Sequence, residues 1–154
     1  MKVYLVGSLK DPEFHTVSAA IRGEGHEVYD FWRGAGPTGD ASWRDYEQGL
    51  GHNYVKAIGL PYAQQAYWFD RDWIAESDLV VAVCKSHRLP GPSSVAELAL
   101  AKLGMGKPTF VLLSGEPTDW ELMLPVVVDE FFYWTADLLN RLRGMDDEPH
   151  LRSL

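Results

Sequence analysis

The stretch DLVVAVCKSHRLPGPSSVAELALAKLGMGKPTFVLL, residues 78–113, decides the fold. It begins with a strand at 78–84, which is apolar at every position after Asp78, and ends with a second, mostly apolar strand at 108–113, and between them lies a mostly apolar helix at about 95–103. Strands that are apolar at every position are typical of parallel sheets covered on both faces. A strand, a helix and a parallel strand form a right-handed crossover unit. The stretch therefore predicts an α/β protein built on a parallel sheet.

The same alternation of strands and helices extends outward from this unit in both directions. Further strands are predicted at 2–6, 27–31 and 126–133, and further helices at 11–22, 61–76 and 135–143. Asp11 and Thr135 are expected to be N-caps, and Pro12 and Pro61 to be first helical residues. These elements predict one domain over residues 1–144. It has an insert at about 33–60, which begins as a glycine- and proline-rich loop, and a tail at 145–154.

Composition limits the classes of function. A chain of 154 residues is expected to form a single core. A net charge of −8 argues against binding polymeric nucleic acid, which needs a basic surface. The single cysteine, Cys84, favours a reducing, cytoplasmic setting. No apolar run approaches the roughly 20 residues that a membrane-spanning helix needs. We therefore expect a cytoplasmic protein with no membrane partner.

Candidate binding residues follow the first two strands. In parallel sheets, ligands bind beyond the carboxyl ends of the strands, at the point where the strand order reverses. Gly7, Ser8 and Lys10 follow the first strand and could hold an anion beside the next helix. Asp30 and Trp32 follow the second strand and could bind a sugar hydroxyl or stack on a base. The structural alternatives are a simple turn and a loop packed by its aromatic rings.

Glu97 has two interpretations that the sequence leaves open. Ser94 and Glu97 fit the capping box S-x-x-E, in which the glutamate only completes a helix start. If Ser93 is the cap instead, the box fails. The alternative is chemistry, because Glu97 follows a central strand and the positive end of its helix would hold the carboxylate ionised. An ionised carboxylate is what nucleophilic attack at a sugar carbon needs.

Other reactive residues give weaker signals. Asp70 and Asp72 are two positions apart on a predicted helix, so at most one of them faces a given site. A nucleophilic pair of Cys84 and His87 is conceivable, but a cysteine that closes a buried strand is usually an inert apolar residue. The histidines lack metal-binding spacing, so no metal is expected.

Several motifs, in this order, resemble the nucleoside 2-deoxyribosyltransferase-like superfamily. They are KVYLVGSL at the start, Asp70 eight residues before Asp78 and its strand, GPSSVAEL at 91–98, and VVVDEFFY near the end. The resemblance covers about residues 2–143. The superfamily includes deoxyribosyltransferases and nucleoside 5′-monophosphate N-glycosidases. It implies a flavodoxin-like or Rossmann-like three-layer sandwich, in which a five-stranded, mainly parallel sheet has helices on both faces.

The resemblance also implies a reaction, the cleavage or transfer of an N-glycosidic bond in a (deoxy)nucleoside or its 5′-monophosphate. Glu97 matches the catalytic glutamate that attacks the anomeric carbon and forms a glycosyl-enzyme intermediate. Asp70 matches an aspartate that protonates or orients the leaving base, and Tyr4 matches a tyrosine that positions the glutamate. We expect burial near Trp68, Phe69 and Trp73 to raise the pKa of the Asp70 carboxyl.

Substrate contacts complete the predicted site. The candidate substrate-binding residues are Gly7, Ser8, Lys10, Asp30, Trp32, Gly91, Ser93 and Asp129. The first three and Ser93 match loops that approach the phosphate or sugar. Gly91 stands where relatives carry Asp or Ser, and Asp129 lies beside Glu130, which replaces an asparagine that can come from a neighbouring subunit. Trp32, Trp43 and Tyr46 are hypothesised to form the walls of the base pocket.

Cofactors, partners and alternatives follow from these roles. No metal or redox cofactor is required, and the ligand is a small nucleoside or nucleotide. The resemblance implies a homodimer or a larger homo-oligomer. The alternative is a non-catalytic nucleotide-binding module with Glu97 as a cap, and Leu98-Ala99 after the glutamate, where relatives have a glycine, favours it. A phosphotransfer receiver is disfavoured, because no acidic cluster follows the first strand.

Overall fold

A five-stranded parallel sheet forms the centre of the protein. We describe a computed structural model, which covers residues 1–8, 10–30 and 38–147. The strands are β1 (Lys2–Gly7), β2 (Glu27–Asp30), β3 (Leu79–Val83), β4 (Thr109–Leu112) and β5 (Glu130–Phe132). Their order is β2-β1-β3-β4-β5, and every neighbouring pair is parallel. The predicted α/β class is confirmed.

Helices cover both faces of this sheet. They are α1 (Pro12–Gly23), α2 (Gly39–Gly49), α3 (Tyr54–Ile58), α4 (Pro61–Glu76), α5 (Pro92–Ala99) and α6 (Thr135–Asp147). Asp11 caps α1 as predicted, because its side chain accepts a hydrogen bond from the backbone N–H of Glu13. Pro12 and Pro61 are first helical residues, also as predicted. Within the described ranges, no helix is both long and apolar enough to cross a bilayer.

Alternate residues of each strand enter two separate cores. On one face, Val3 and Leu5 of β1 pack with Phe14 of α1 and Leu138 of α6. On the other face, Tyr4 of β1 packs in a cluster with residues of α4 and α5. This alternation follows from the two-residue repeat of a strand. It gives the three-layer arrangement and brings Tyr4 to the side of the sheet that carries α4 and α5.

The structure differs from the predictions in four respects. The insert contains two helices, and α2 begins at Gly39, inside the predicted loop. The fifth strand covers only Glu130–Phe132, because a 3₁₀ turn occupies Leu124–Val126. The last helix runs to Asp147, three residues into the predicted tail. Thr135 is the first residue of that helix and not its cap, since the carbonyl of Trp134 accepts the first helical bond.

Candidate active site

A cavity of about 880 Å³ lies at the point where the strand order reverses. The chain continues from β1 to β2 on one side and from β3 to β5 on the other, so the switch falls between β1 and β3. The cavity is lined by the carboxyl ends of these two strands, by the N-terminal half of α5, and by residues of α2 and α4. Its volume falls in the range of about 300–1,000 Å³ typical of small-molecule sites. A cavity therefore lies at the switch point, which is where the sequence predicts the site.

Tyr4, Asp70 and Glu97 meet in this cavity, although they come from β1, α4 and α5. Tyr4 is 2% exposed, and its hydroxyl interacts with both carboxyl groups. Burial, together with the negative charges of Glu97 and Asp70, raises the pKa of Tyr4, so the phenol keeps its proton. The structure thus brings together the three residues that the sequence predicted to be catalytic.

The carboxyl groups of Asp70 and Glu97 compete for the single hydroxyl proton of Tyr4. Burial raises the pKa of Glu97 to about 8, the charge of Asp70 adds to this rise, and a hydrogen bond with Tyr4 opposes it. Burial also raises the pKa of Asp70, again opposed by Tyr4. One oxygen of each group, Glu97 Oε2 and Asp70 Oδ1, is buried without a hydrogen-bond partner. Since a hydroxyl has a single proton to donate, it cannot satisfy two carboxylates at once.

Glu97 is not a helix cap. Helix α5 begins at Pro92, with Gly91 as its N-cap and no side-chain cap bond, so Glu97 is the sixth helical residue. The predicted capping box with Ser94 is therefore wrong, and so is the alternative with Ser93 as the cap. Proline starts the helix earlier than either serine, because its fixed φ suits the first helical position. The expected ionisation by the helix terminus is wrong for the same reason, since burial dominates in the second turn.

Five of the predicted substrate-binding residues line the cavity, namely Gly7, Ser8, Lys10, Gly91 and Ser93. The close approach of β1 and β3 explains Gly7. A Cβ atom there would lie 2.6 Å from the Val83 carbonyl oxygen and 2.9 Å from the Phe14 ring. The turn can pass this close to β3 only without a side chain.

Asp30 lies outside the cavity, in a buried ion pair. Its carboxylate accepts hydrogen bonds from Ser18 Oγ at 2.6 Å and from Arg22 Nη2 at 2.9 Å. Asp30 therefore joins the end of β2 to α1, and the expected contact with a sugar hydroxyl has no support in this structure. Trp32, predicted to stack on a base, lies outside the described residues.

Asp129 lies at the opposite edge of the sheet from the cavity. It directly precedes β5, and its carboxylate accepts a hydrogen bond at 2.8 Å from the backbone N–H of Thr109, the first residue of β4. The same carboxylate pairs with Lys102. Within one chain, Asp129 therefore fastens the amino ends of two strands and does not reach the candidate site.

The predicted aromatic walls are only partly present. Trp43 of α2 lines the cavity, whereas Tyr46 is 65% exposed and does not. Trp68 and Phe69 are 49% and 60% exposed, so their expected part in burying Asp70 is wrong. Both project from the solvent face of α4, whereas Asp70 lies on the face that meets Tyr4 and Glu97. Large exposed apolar side chains of this kind often mark interaction surfaces, and the homo-oligomer expected from the sequence stays a prediction.

Lys85 and Arg88 also line the cavity, and the sequence reasoning missed them as binding residues. Both lie in the loop that follows β3, and this position at the carboxyl end of a strand was the available signal. From the sequence, that loop suggests only a Cys84–His87 pair. The structure rejects the pair, because burial raises the pKa of the Cys84 thiol to about 12. The His87 ring contacts the Glu116 carbonyl instead, with Nδ1 at 2.9 Å.

Comparisons with known proteins agree with this architecture. No family model matches the chain, and neither does any curated protein. A solved 2-deoxyribosyltransferase from Bacillus psychrosaccharolyticus is 18% identical, with a TM-score of 0.58 over 91% of each chain. A CMP N-glycosidase from Clostridium botulinum is 20% identical, with a TM-score of 0.54 over 94% of this chain and 99% of its own. A conserved protein from Enterococcus faecalis V583 is 14% identical, with a TM-score of 0.67 over 94% of this chain and 98% of its own.

These likenesses concern the fold. They show that the chain shares the fold of a deoxyribosyltransferase and an N-glycosidase, which confirms at that level the resemblance noted in the sequence. Because one fold supports many activities, function has to be argued from the cavity and its side chains.

Proposed function

We propose that the protein cleaves or transfers the N-glycosidic bond of a nucleoside or nucleotide, with Glu97 as the nucleophile. The observation that carries this proposal is the buried cluster of Tyr4, Asp70 and Glu97 in a cavity at the switch point of the sheet. The fold neighbours support it, since they are named for 2-deoxyribosyl transfer and for CMP N-glycosidic cleavage.

The reaction proceeds in two displacements. A Glu97 carboxylate oxygen attacks the anomeric carbon, the bond to the base breaks, and the bonding electron pair leaves with the base. Asp70 donates its proton to that base. The resulting glycosyl ester is then opened by water, which gives hydrolysis, or by a second base, which gives transfer; the attacking group passes its proton to Asp70, and Glu97 leaves as a carboxylate. Two carboxyl groups with separate roles and an oxocarbenium-like transition state are general in glycosyl chemistry.

The raised pKa values of Asp70 and Glu97 bear on their separate roles as proton donor and nucleophile. A proton donor is effective near neutral pH only when its pKa is raised, and burial does this for Asp70. The reactive arrangement has Asp70 protonated and Glu97 negatively charged. The developing positive charge of the sugar ring favours that charge on Glu97, whereas burial alone favours the protonated acid.

The test is base release from a panel of nucleosides and their 5′-monophosphates, separated by liquid chromatography. Glu97→Gln is expected to lower kcat/KM by about 10³-fold or more, because the covalent step is lost. Asp70→Asn is expected to cost about 10² to 10⁴-fold. Asp72→Asn is the matched control, since Asp72 is exposed and pairs with Arg71 at 2.8 Å.

Covalent trapping separates the nucleophile from a merely structural acid. Mass spectrometry of wild type with a slow substrate should find a glycosyl adduct on the peptide that contains Glu97. Full activity in Glu97→Gln would refute the assignment of the nucleophile. If wild type binds nucleotides and neither releases nor transfers any base, the chain is the non-catalytic binding module instead.

A further inference from the structure

Three positive side chains that line the cavity have no partner among the residues that the structure describes. Among the described residues, the lysines and arginines whose side chains make no ion pair, hydrogen bond or ring contact are Lys10, Lys56, Lys85 and Arg88. All of these except Lys56 line the cavity. In a chain with a net charge of −8, three such cations in one cavity can balance the charge of an anionic group, even though the exposed Asp40 lines the same cavity.

The backbone places these cations side by side. Lys10 follows β1, and Lys85 and Arg88 follow β3, which is the neighbouring strand, with Gly7 opposite Val83 in the sheet. Their side chains are exposed, in contrast to the buried Tyr4. The cations therefore belong to the outer part of the cavity, and the catalytic cluster belongs to its inner part.

The loop that carries Lys85 and Arg88 is held by hydrogen bonds to the loop that follows β4. Ser86 Oγ donates to the Ser114 carbonyl at 3.2 Å, and the backbone N–H of Thr118 donates to the His87 carbonyl at 3.1 Å. His87 has a φ of 58°, a left-handed conformation that is strained for a residue with a side chain. Ser86 and His87 thus contact the β4 loop, which leaves the two cations beside them for the cavity.

A second set of donors lies at the start of α5. Helix α5 has no side-chain cap, so the backbone N–H groups of Ser93 and Ser94 in its first turn lack intrahelical partners. Both serines line the cavity, and Ser93 is exposed whereas Ser94 is only 7% exposed, nearer the buried cluster. The start of α1 differs, since Asp11 already caps it. An anion next to the sugar would therefore meet the start of α5 first and the three cations further out.

From this arrangement we propose that the substrate carries a diphosphate on its sugar, with one phosphate at the start of α5 and the next at Lys10, Lys85 and Arg88. This inference rests on the proposed function for the identity of the remaining substrate. A monophosphate would reach the inner donors and leave the outer cations without a partner. The diphosphate can be free, as in a nucleoside diphosphate, or esterified, as in a dinucleotide.

The first experiment needs neither sugar nor base. Inorganic pyrophosphate and orthophosphate are titrated calorimetrically at one fixed ionic strength, and pyrophosphate is expected to bind about ten-fold tighter. The double variant Lys85→Met, Arg88→Gln should lose this preference, and Lys56→Met, the matched control, should keep it. Both changed side chains are exposed, and urea unfolding checks that the variant is folded. Equal affinities in wild type, or a preference that survives in the double variant, would overturn the proposal.

The second experiment uses nucleosides that carry no phosphate, a 5′-monophosphate, a free 5′-diphosphate or a dinucleotide diphosphate. The kcat/KM for base release is expected to be about ten-fold higher with a diphosphate than with the monophosphate. This ratio should fall toward one in the double variant. The two diphosphate arms identify the source, and no preference over the monophosphate in either arm would contradict the inference. Failure of every nucleoside to release base would refute the proposed function, while the pyrophosphate titration still decides the binding site.

Discussion

Replacing Glu97 by glutamine should make the protein more stable at neutral pH. The folded-state pKa of Glu97 is about 8, above the ordinary value of 4.5. Between these two values the folded chain holds a proton that the unfolded chain has released. Folding therefore takes up a proton, and stability falls as the pH rises through this window. Glutamine has a similar shape and no proton to bind, so this pH-dependent penalty is absent in the variant.

The size of the effect follows from the shift. One pKa unit corresponds to about 1.4 kcal/mol, so the penalty grows by about 3 kcal/mol between pH 5 and pH 7.5. The free energy of unfolding of Glu97→Gln, minus that of wild type, should rise by about this amount across that interval. A helix cap would behave in the opposite way, since losing one costs about 1 kcal/mol.

Urea unfolding of both proteins at half-unit steps from pH 5 to pH 8 measures this difference. The control is Glu27→Gln, a change on an exposed residue of β2, which should stay within about 0.5 kcal/mol of wild type. A constant loss of stability in Glu97→Gln at every pH would refute the reasoning, because the glutamate would then be acting as a cap or a surface ligand. A flat difference near zero would show that Glu97 is ionised in the folded protein.

Three further predictions concern the same site. The kcat/KM of wild type for base release should fall as the pH rises above about 8, because the proposed reactive state keeps one proton on the Asp70–Glu97 pair and that proton is lost there; an activity that keeps rising to pH 9 would contradict this. Tyr4→Phe removes the interaction that lowers the pKa of Glu97, so the falling limb of that profile should move to higher pH, whereas a merely structural tyrosine would leave its midpoint in place. Gly7→Ala should cost about 1–3 kcal/mol in urea unfolding, because its Cβ would approach the Val83 carbonyl oxygen to 2.6 Å, and an unchanged stability would show that β1 and β3 can separate there.

Local signals in the sequence predicted the framework of the fold well. The unbroken apolar strands marked the parallel sheet, and Pro61 marked the start of α4, whose bounds agree with the prediction. Helix α2 was missed for a physical reason. The only residue that it buries is Glu47, so the insert has no apolar periodicity from which a helix could be inferred.

The sequence predicts which residues form the site better than it predicts their protonation. Tyr4, Asp70 and Glu97 were named from motifs, and the structure brings them together. The protonation of Glu97 could not be inferred, because it depends on burial by segments that are distant in sequence. Asp30 is a second case in which burial and pairing are invisible in the sequence. A carboxylate at a strand end suggests a ligand contact, whereas in the structure Arg22 of the preceding helix pairs with it.

The raised pKa of Glu97 also governs how the resting protein meets reactive compounds. A carboxylic acid that keeps its proton is a poor nucleophile toward epoxides and other alkylating agents. Glu97 is thus expected to react slowly with such compounds at neutral pH, although it is the proposed nucleophile. A covalent inhibitor directed at Glu97 would therefore need features of the substrate that favour the ionised carboxylate, and simple electrophiles would leave this residue unmodified.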